Sequence, residues 1–185
     1  SASTRDRKSR LIELAEEAAL HGDHEAAVNA RGTLGNPRTR LVAEIAWFPG
    51  LSPSRIKRTL EQIALGKRPD LEGMNPLCQA NFATEALRLC ESADSDALQN
   101  AVMELSNYVE EIDPELVFQS INEDRRAAGI PQLTDGALVE AEIAERVRHI
   151  ERCVTAQLED LPSTAMVRCY ERLASWGTNE GEDES

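Results

Sequence analysis

Four of the eight prolines directly follow a residue whose side chain caps helices well, and this pairing constrains the fold more than any other feature of the sequence. The first side chain of each pair can accept a hydrogen bond from a free backbone N–H of the first helical turn. Proline at the first helical position loses no hydrogen bond. Each pair therefore predicts the start of a helix. The pairs are Asn36-Pro37, Ser52-Pro53, Asn75-Pro76 and Asp113-Pro114.

Apolar residues recur along the chain at the i, i+3, i+4, i+7 spacing of an amphipathic helix. Two such sets are Leu98, Val102, Leu105 and Val109, and Ile143, Val147, Ile150 and Val154. Aromatic residues make up only 4% of the chain and β-branched residues are sparse, which argues against a sheet. We therefore predict an all-α fold. The predicted helices lie at about 4–20, 23–34, 37–48, 53–65, 76–92, 95–112, 114–128, 135–160 and 162–176.

Charge is distributed unevenly along the chain. Residues 1–68 contain 12 Lys and Arg against 8 Asp and Glu, whereas residues 69–185 contain 8 against 25. Turn-forming residues cluster at 66–75, where the sign of the charge changes. We therefore predict a basic helical region at 1–68, an acidic helical bundle at 69–177 and a disordered acidic tail at 178–185. Nucleic acid is not an expected partner, because the acidic half would repel phosphates.

The sequence lacks the common signatures of enzymes, such as a phosphate-binding glycine-rich loop, G-x-S-x-G or H-E-x-x-H. Its four cysteines form no C-x-x-C pair and lie beside apolar residues, which favours buried free thiols in a reducing cytoplasm over a zinc site. No apolar run approaches the roughly 20 residues that span a bilayer. We therefore predict a non-catalytic cytoplasmic protein with no cofactor, no metal and no membrane partner.

One enzymatic alternative rests on a cysteine and a histidine. His149 and Cys153 are four residues apart on a predicted helix, so their side chains are neighbours. A thiolate–imidazole pair needs a third group that orients it, and Glu85 is the candidate. A purely structural pair explains the same spacing.

The segment at 26–40 reads AAVNARGTLGNPRTR. Its Leu34, Asn36, Pro37 and Arg40 follow the pattern with which J domains end: a helix closing on Leu, a D/N-P turn, and a final helix bearing Arg. The segment therefore resembles the closing part of a J domain, the module that stimulates the 70-kDa heat-shock chaperones. It is most similar to the iron–sulfur-cluster J-type co-chaperones.

Residues upstream extend this resemblance to about residues 1–48. The second helix of a J domain is basic at its start and ends in His-Pro-Asp. Here Arg7, Lys8 and Arg10 lie at the start of the first predicted helix, and His21-Gly22-Asp23 ends it, with Gly22 in place of the family's proline. The resemblance implies a degenerate J-like front that contacts a chaperone through this basic helix.

The leading functional prediction is a protein-interaction module related to J-type co-chaperones, which binds a client through its C-terminal bundle. The alternative is a helical adaptor or accessory subunit with no chaperone role, binding through its acidic face. Two roles are open for Trp47, an anchor in the core and a hot spot for binding a partner. The candidate partner-binding residues are Arg7, Lys8, Arg10, His21, Asp23, Arg38, Arg40 and Trp47.

A second basic cluster, at 55–68, has three possible roles. The first two are a solvated face and a contact for an acidic protein surface. A nucleic-acid contact ranks last, because no aromatic residue interleaves the charges of the cluster. The cluster comprises Arg55, Lys57, Arg58, Lys67 and Arg68.

Overall fold

The computed structural model describes Glu13, residues 24–89, residues 95–158, residues 163–174 and Trp176. These residues form eight α-helices and no strand, which confirms the all-α prediction. The helix predicted at 4–20 and the tail at 178–185 lie outside the described residues, apart from Glu13. The helices are α1 (His24–Gly35), α2 (Pro37–Ala46), α3 (Pro53–Ala64), α4 (Pro76–Leu89), α5 (Ser95–Glu110), α6 (Pro114–Ala128), α7 (Gly136–Leu158) and α8 (Ser163–Ala174).

All four cap–proline pairs mark helix starts, since α2, α3, α4 and α6 each begin at the proline of a pair. The Asn36 side chain accepts a hydrogen bond from the N–H of Arg38 at 2.9 Å. The Asn75 side chain accepts one from the N–H of Cys78 at 2.8 Å. Both bonds satisfy a donor that the helix itself leaves free, which explains why the starts were legible in the sequence.

Several helices end earlier than the apolar pattern predicts. Helix α2 ends at Ala46 rather than at 48, and α5 ends at Glu110 rather than at 112. Gly66 and Gly129 directly follow the predicted helix ends at 65 and 128, and their φ angles are 66° and 67°. Glycine adopts this left-handed conformation without a Cβ penalty.

The described residues form two compact units that are not consecutive in sequence. The first unit takes its described residues from Ser1–Pro53 and Pro114–Ala144, and the second from Ser54–Asp113 and Glu145–Ser185. This division differs from the predicted regions 1–68 and 69–177. The reason lies in long-range contacts: α6, which the charge pattern assigned to the acidic bundle, bonds α2 through Arg125 and Glu44 at 2.7 Å.

The second unit has a continuous apolar core, in which α5 packs on α4 and on α8. The predicted apolar stripe of α5 supplies its centre, and α7 and α8 contribute the facing residues. Full burial of such a side chain contributes about 1.5–3 kcal/mol, so this core is the main source of the unit's stability. The core residues are Ala80, Leu87, Leu98, Val102, Leu105, Val109, Ile150, Val154, Leu158, Cys169 and Leu173.

The buried residues of the first unit differ in kind, because they include four charged side chains. Two are positive and two are negative, so their formal charges balance. Among the described residues, the second unit buries no charged side chain. The four are Arg40, Glu44, Asp124 and Arg125.

Candidate protein-binding groove

Five of the predicted partner-binding residues lie outside the described part of the chain. They are Arg7, Lys8, Arg10, His21 and Asp23. The structure therefore places only the three that follow in sequence, Arg38, Arg40 and Trp47, and all three lie in the first unit.

These three residues occupy different environments on and after α2. Arg38 is exposed in the first turn. Trp47 is half-buried just after the helix, and its ring centroid lies 5.1 Å from that of Phe48. Arg40 is only 4% exposed. This burial gives Arg40 a structural role inside the unit, and its contact with a partner stays a prediction.

That structural role is an ion network centred on the carboxylate of Glu44. Arg40 Nε donates to Glu44 Oε1 at 2.8 Å, one helical turn away. From α6, Arg125 donates through Nη2 to Glu44 Oε2 at 2.7 Å and through Nε to the same oxygen at 3.0 Å. All three side chains are nearly inaccessible to solvent. Charged groups this deep persist only when they are paired and hydrogen-bonded, and both conditions are met here.

One further donor of each arginine bonds to a backbone carbonyl, and the two carbonyls lie at either side of a surface groove. Arg40 Nη1 donates to the carbonyl of Leu34, the penultimate residue of α1, at 3.1 Å. Arg125 Nη1 donates to the carbonyl of Pro131, which follows α6, at 3.3 Å. The network thus holds the α1–α2 turn and the α6–α7 connector in place at the same time.

The α6–α7 connector, residues 129–135, is also held by Asn122 of α6. The Asn122 side chain accepts a hydrogen bond from the N–H of Leu133 at 2.7 Å and donates to the carbonyl of Leu133 at 3.2 Å. At its start, Gly129 has a left-handed backbone, and the N–H of Ile130 bonds the carbonyl of Arg125 at 2.8 Å. A loop with this many backbone partners is preorganised rather than adaptable.

Between the α1–α2 turn and this connector lies a groove with a volume of about 660 Å³, which we call the connector groove. It is lined by Arg40 and Arg125 and by apolar side chains, among which Leu138 is 53% exposed. Concave, mainly apolar sites of this size bury ligand side chains well. The apolar lining residues are Leu34, Pro37, Ile130, Pro131, Leu133 and Leu138.

Sequence reasoning found one wall of this groove and missed the other. Leu34, Pro37 and Arg40 were singled out for their J-like spacing, and all three line it. Glu44, Arg125 and the connector were not singled out, because a pairing across 81 residues leaves no local signal. The spacing of Arg40 and Glu44 at i, i+4 was the one available hint.

The cysteine–histidine alternative is only partly assembled by the structure. His149 Nε2 lies 3.5 Å from Cys153 Sγ, and burial lowers the pKa of His149. The Glu85 carboxylate accepts hydrogen bonds from Arg88 at 2.7 and 3.1 Å, and these lower the pKa of Glu85. Within the described residues, the imidazole therefore has no bonded carboxylate to orient it, as a catalytic pair requires.

The second basic cluster lies in the second unit and is partly neutralised there. Arg55 donates to the backbone carbonyl of Glu72, and Arg68 pairs with the carboxylate of Glu104 at 3.0 Å. Lys57, Arg58 and Lys67 are exposed. The cluster is therefore a surface feature rather than part of the core.

Two further findings concern the described helices and side chains. None of these helices is both long and apolar enough to cross a bilayer. No three His, Cys, Asp or Glu side chains among them converge as metal ligands would.

The chain matches no protein-family model, no curated protein and no solved structure. The fold and the connector groove define it as an all-α protein with a preorganised apolar surface groove. The kinship with J domains stays a prediction from the residues at 1–48.

Proposed function

We propose that the chain is a non-catalytic protein-interaction module whose connector groove receives an apolar segment of a partner protein. The observation that carries this proposal is a preorganised groove of about 660 Å³ whose apolar wall includes the half-exposed Leu138. Its two sides are held by one buried ion network, so little conformational entropy is lost on binding. Exposed apolar surface next to a rigid scaffold is typical of protein-binding sites.

The finer proposal is a co-chaperone. In it, Arg7, Lys8 and Arg10, with His21 and Asp23, contact a 70-kDa heat-shock-type chaperone, while the connector groove holds an unfolded client. The resemblance of residues 1–48 to a J domain supports this assignment. A cytoplasmic location, a protein rather than a nucleic-acid partner, and the absence of a cofactor belong to the same proposal.

The chaperone contact is tested by the steady-state ATPase rate of a bacterial-type 70-kDa chaperone with the full chain added. We expect stimulation that is lost in His21→Gln and in a triple charge reversal at Arg7, Lys8 and Arg10. Stimulation that survives both changes, or no stimulation by the unchanged chain, rejects the co-chaperone assignment.

The groove is tested separately, by binding of a permanently unfolded, carboxymethylated client protein. Leu138→Asp places a charge on the apolar wall and is expected to weaken binding about fivefold or more. Val167→Asp is the matched control, because Val167 is 55% exposed against 53% for Leu138 but lies on α8 in the other unit. Equal effects of the two substitutions would reject the groove as the binding site.

The two tests together separate the co-chaperone from the alternative, a helical adaptor with no chaperone role. An adaptor binds through the groove without stimulating the ATPase. Two results together therefore favour the adaptor: client binding is lost in Leu138→Asp, and the unsubstituted chain does not raise the ATPase rate of the chaperone.

A further inference from the structure

A second groove lies wholly within the second unit, between α4, α5 and the loop that follows α3. Its volume is about 460 Å³, and we call it the alanine groove. Ala83 and Ala86 of α4 and Ala97 and Ala101 of α5 line it. Four small side chains along the two helices leave a space that larger residues would have filled.

The floor of the alanine groove is the apolar core itself. Leu87 and Leu98 line the groove and belong to the buried cluster of the second unit. At its α4 end, Leu89 is half-exposed. An apolar side chain entering here would extend an existing core, and burial of that area is favourable by about 25 cal/mol per Å².

One rim of the groove is basic, although the chain as a whole carries a net charge of −13. Lys67 and Arg68 line this rim and are exposed. They end a segment, residues 54–68, that contains five basic residues and one acidic residue. A carboxylate placed at this rim is attracted, whereas the acidic surroundings disfavour contact elsewhere on the unit.

The Arg68 guanidinium already shows the pairing that such a ligand would use. It spans the groove mouth to Glu104 of α5, with Nη2 at 3.0 and 3.1 Å from the two carboxylate oxygens. The Arg68 side chain is 83% exposed, and exposed pairs contribute only about 0–1 kcal/mol. Glu104 also accepts a hydrogen bond from the Tyr108 hydroxyl at 2.7 Å, so it keeps a partner if Arg68 turns to a ligand.

We propose that the alanine groove binds a short acidic amphipathic segment of a partner protein, with leucine-like side chains in the groove and carboxylates on Lys67 and Arg68. This site is independent of the connector groove and does not rest on the chaperone assignment. It gives the 67–68 part of the basic cluster a specific role, the recognition of an acidic protein surface.

The proposal is tested by fluorescence polarisation of the full chain with labelled helical peptides of about 12 residues. The test peptide carries Leu at i, i+3, i+4 and i+7, and all of its charged residues are Glu. One comparison peptide has Lys for Glu, and another has Ala for Leu. We expect the test peptide to bind about tenfold more tightly than either comparison peptide. We also expect its binding to weaken as the NaCl concentration rises from about 50 to about 300 mM. Equal binding of the acidic and basic peptides would overturn the proposal.

Two substitutions locate the binding on the protein. Ala97→Phe fills the groove from an exposed wall position, and Arg68→Glu reverses the rim charge. Each is expected to weaken binding about tenfold, whereas Arg148→Glu, a half-exposed arginine that does not line the groove, should change it less than about twofold. Circular dichroism confirms that each variant folds. Binding that is unchanged in both groove variants would place the peptide elsewhere and reject the site.

Discussion

At the scale of single residues, Glu44 joins helices α2 and α6 of the first unit. Its carboxylate accepts hydrogen bonds from Arg40 of the same helix and from Arg125 of α6, and all three side chains are buried. The arginines in turn bond the carbonyls of Leu34 and Pro131 on the two sides of the connector groove. One carboxylate therefore supports both the unit and its candidate binding site.

We predict that Glu44→Gln destabilises the protein by about 3–5 kcal/mol, because it removes the negative charge to which two buried guanidinium groups donate hydrogen bonds. The measurement is the free energy of unfolding from urea titration. Glu61→Gln is the matched control, since Glu61 pairs with Lys57 at the same i, i+4 spacing but on the surface, at 3.8 Å. That control should cost no more than about 1 kcal/mol. Equal costs would show that the buried network contributes no more than a surface pair.

Tyr108 gives a pH prediction at the same scale. Burial, together with the hydrogen bond and negative charge of Glu104, raises the pKa of Tyr108 from 10.0 to about 12. Because the folded state holds this proton more tightly than the unfolded chain, the associated stability is complete below about pH 10 and is lost as the pH rises toward 12.

The ionisation of Tyr108 can be followed by absorbance at alkaline pH, with Tyr108→Phe to assign it. In Glu104→Gln we expect the pKa of Tyr108 to fall while staying above its ordinary value, because burial, the larger cause, remains. An unchanged titration in that variant would contradict the assigned role of Glu104.

At the scale of elements, helix ends in this chain are set by local chemistry. Asn36 and Asn75 bond free N–H groups at the starts of α2 and α4, and Gly129 ends α6 in a left-handed conformation. The connector that begins at Gly129 forms one side of the connector groove. A change at this glycine therefore acts on the helix end and on the groove together.

We predict that Gly129→Ala destabilises the protein by about 1–2 kcal/mol, whereas Gly136→Ala is neutral or slightly stabilising. A Cβ added at either position would meet no atom within 4 Å, so the two sites differ in backbone conformation and not in space. Gly129 has a φ of 67°, whereas Gly136 lies in α7 with no positive φ. The measurement is the free energy of unfolding of both variants from urea titration. Similar losses of stability in the two variants would rule out backbone strain as the cause.

At the scale of the whole molecule, tertiary contacts rather than order along the chain determine the two compact units. Each compact unit is built from two separate stretches of sequence, and α7 contributes Gly136–Ala144 to one unit and the remainder to the other. Among the described residues, the first unit contains the four buried charges and the second contains the continuous apolar core. The sign of the charge along the chain is therefore a poor guide to the units.

Net charge is nevertheless a property of the whole chain, and it yields a prediction. The chain has 33 acidic and 20 basic residues, so like charges repel one another in the folded state. Salt screens this repulsion, and the screening length is about 10 Å at 0.1 M. We expect the urea midpoint at pH 7 to rise when NaCl is raised from about 20 to about 300 mM. Glu44→Gln should remain destabilising throughout, because its buried network is screened far less. A midpoint that falls with salt would mean that surface ion pairs outweigh the repulsion.

The sequence by itself determined the helices and much of the core. A cap–proline pair and the i, i+3, i+4, i+7 repeat are complete within a few residues, so α2, α3, α4 and α6 start where predicted, and Leu98, Val102, Leu105 and Val109 are all buried. Only the tertiary structure decided that Arg125 meets Glu44, that Arg40 is internal and that the units are discontinuous. The physical reason is that capping and periodicity act between near neighbours, whereas a pairing across 81 residues depends on which helix faces pack together.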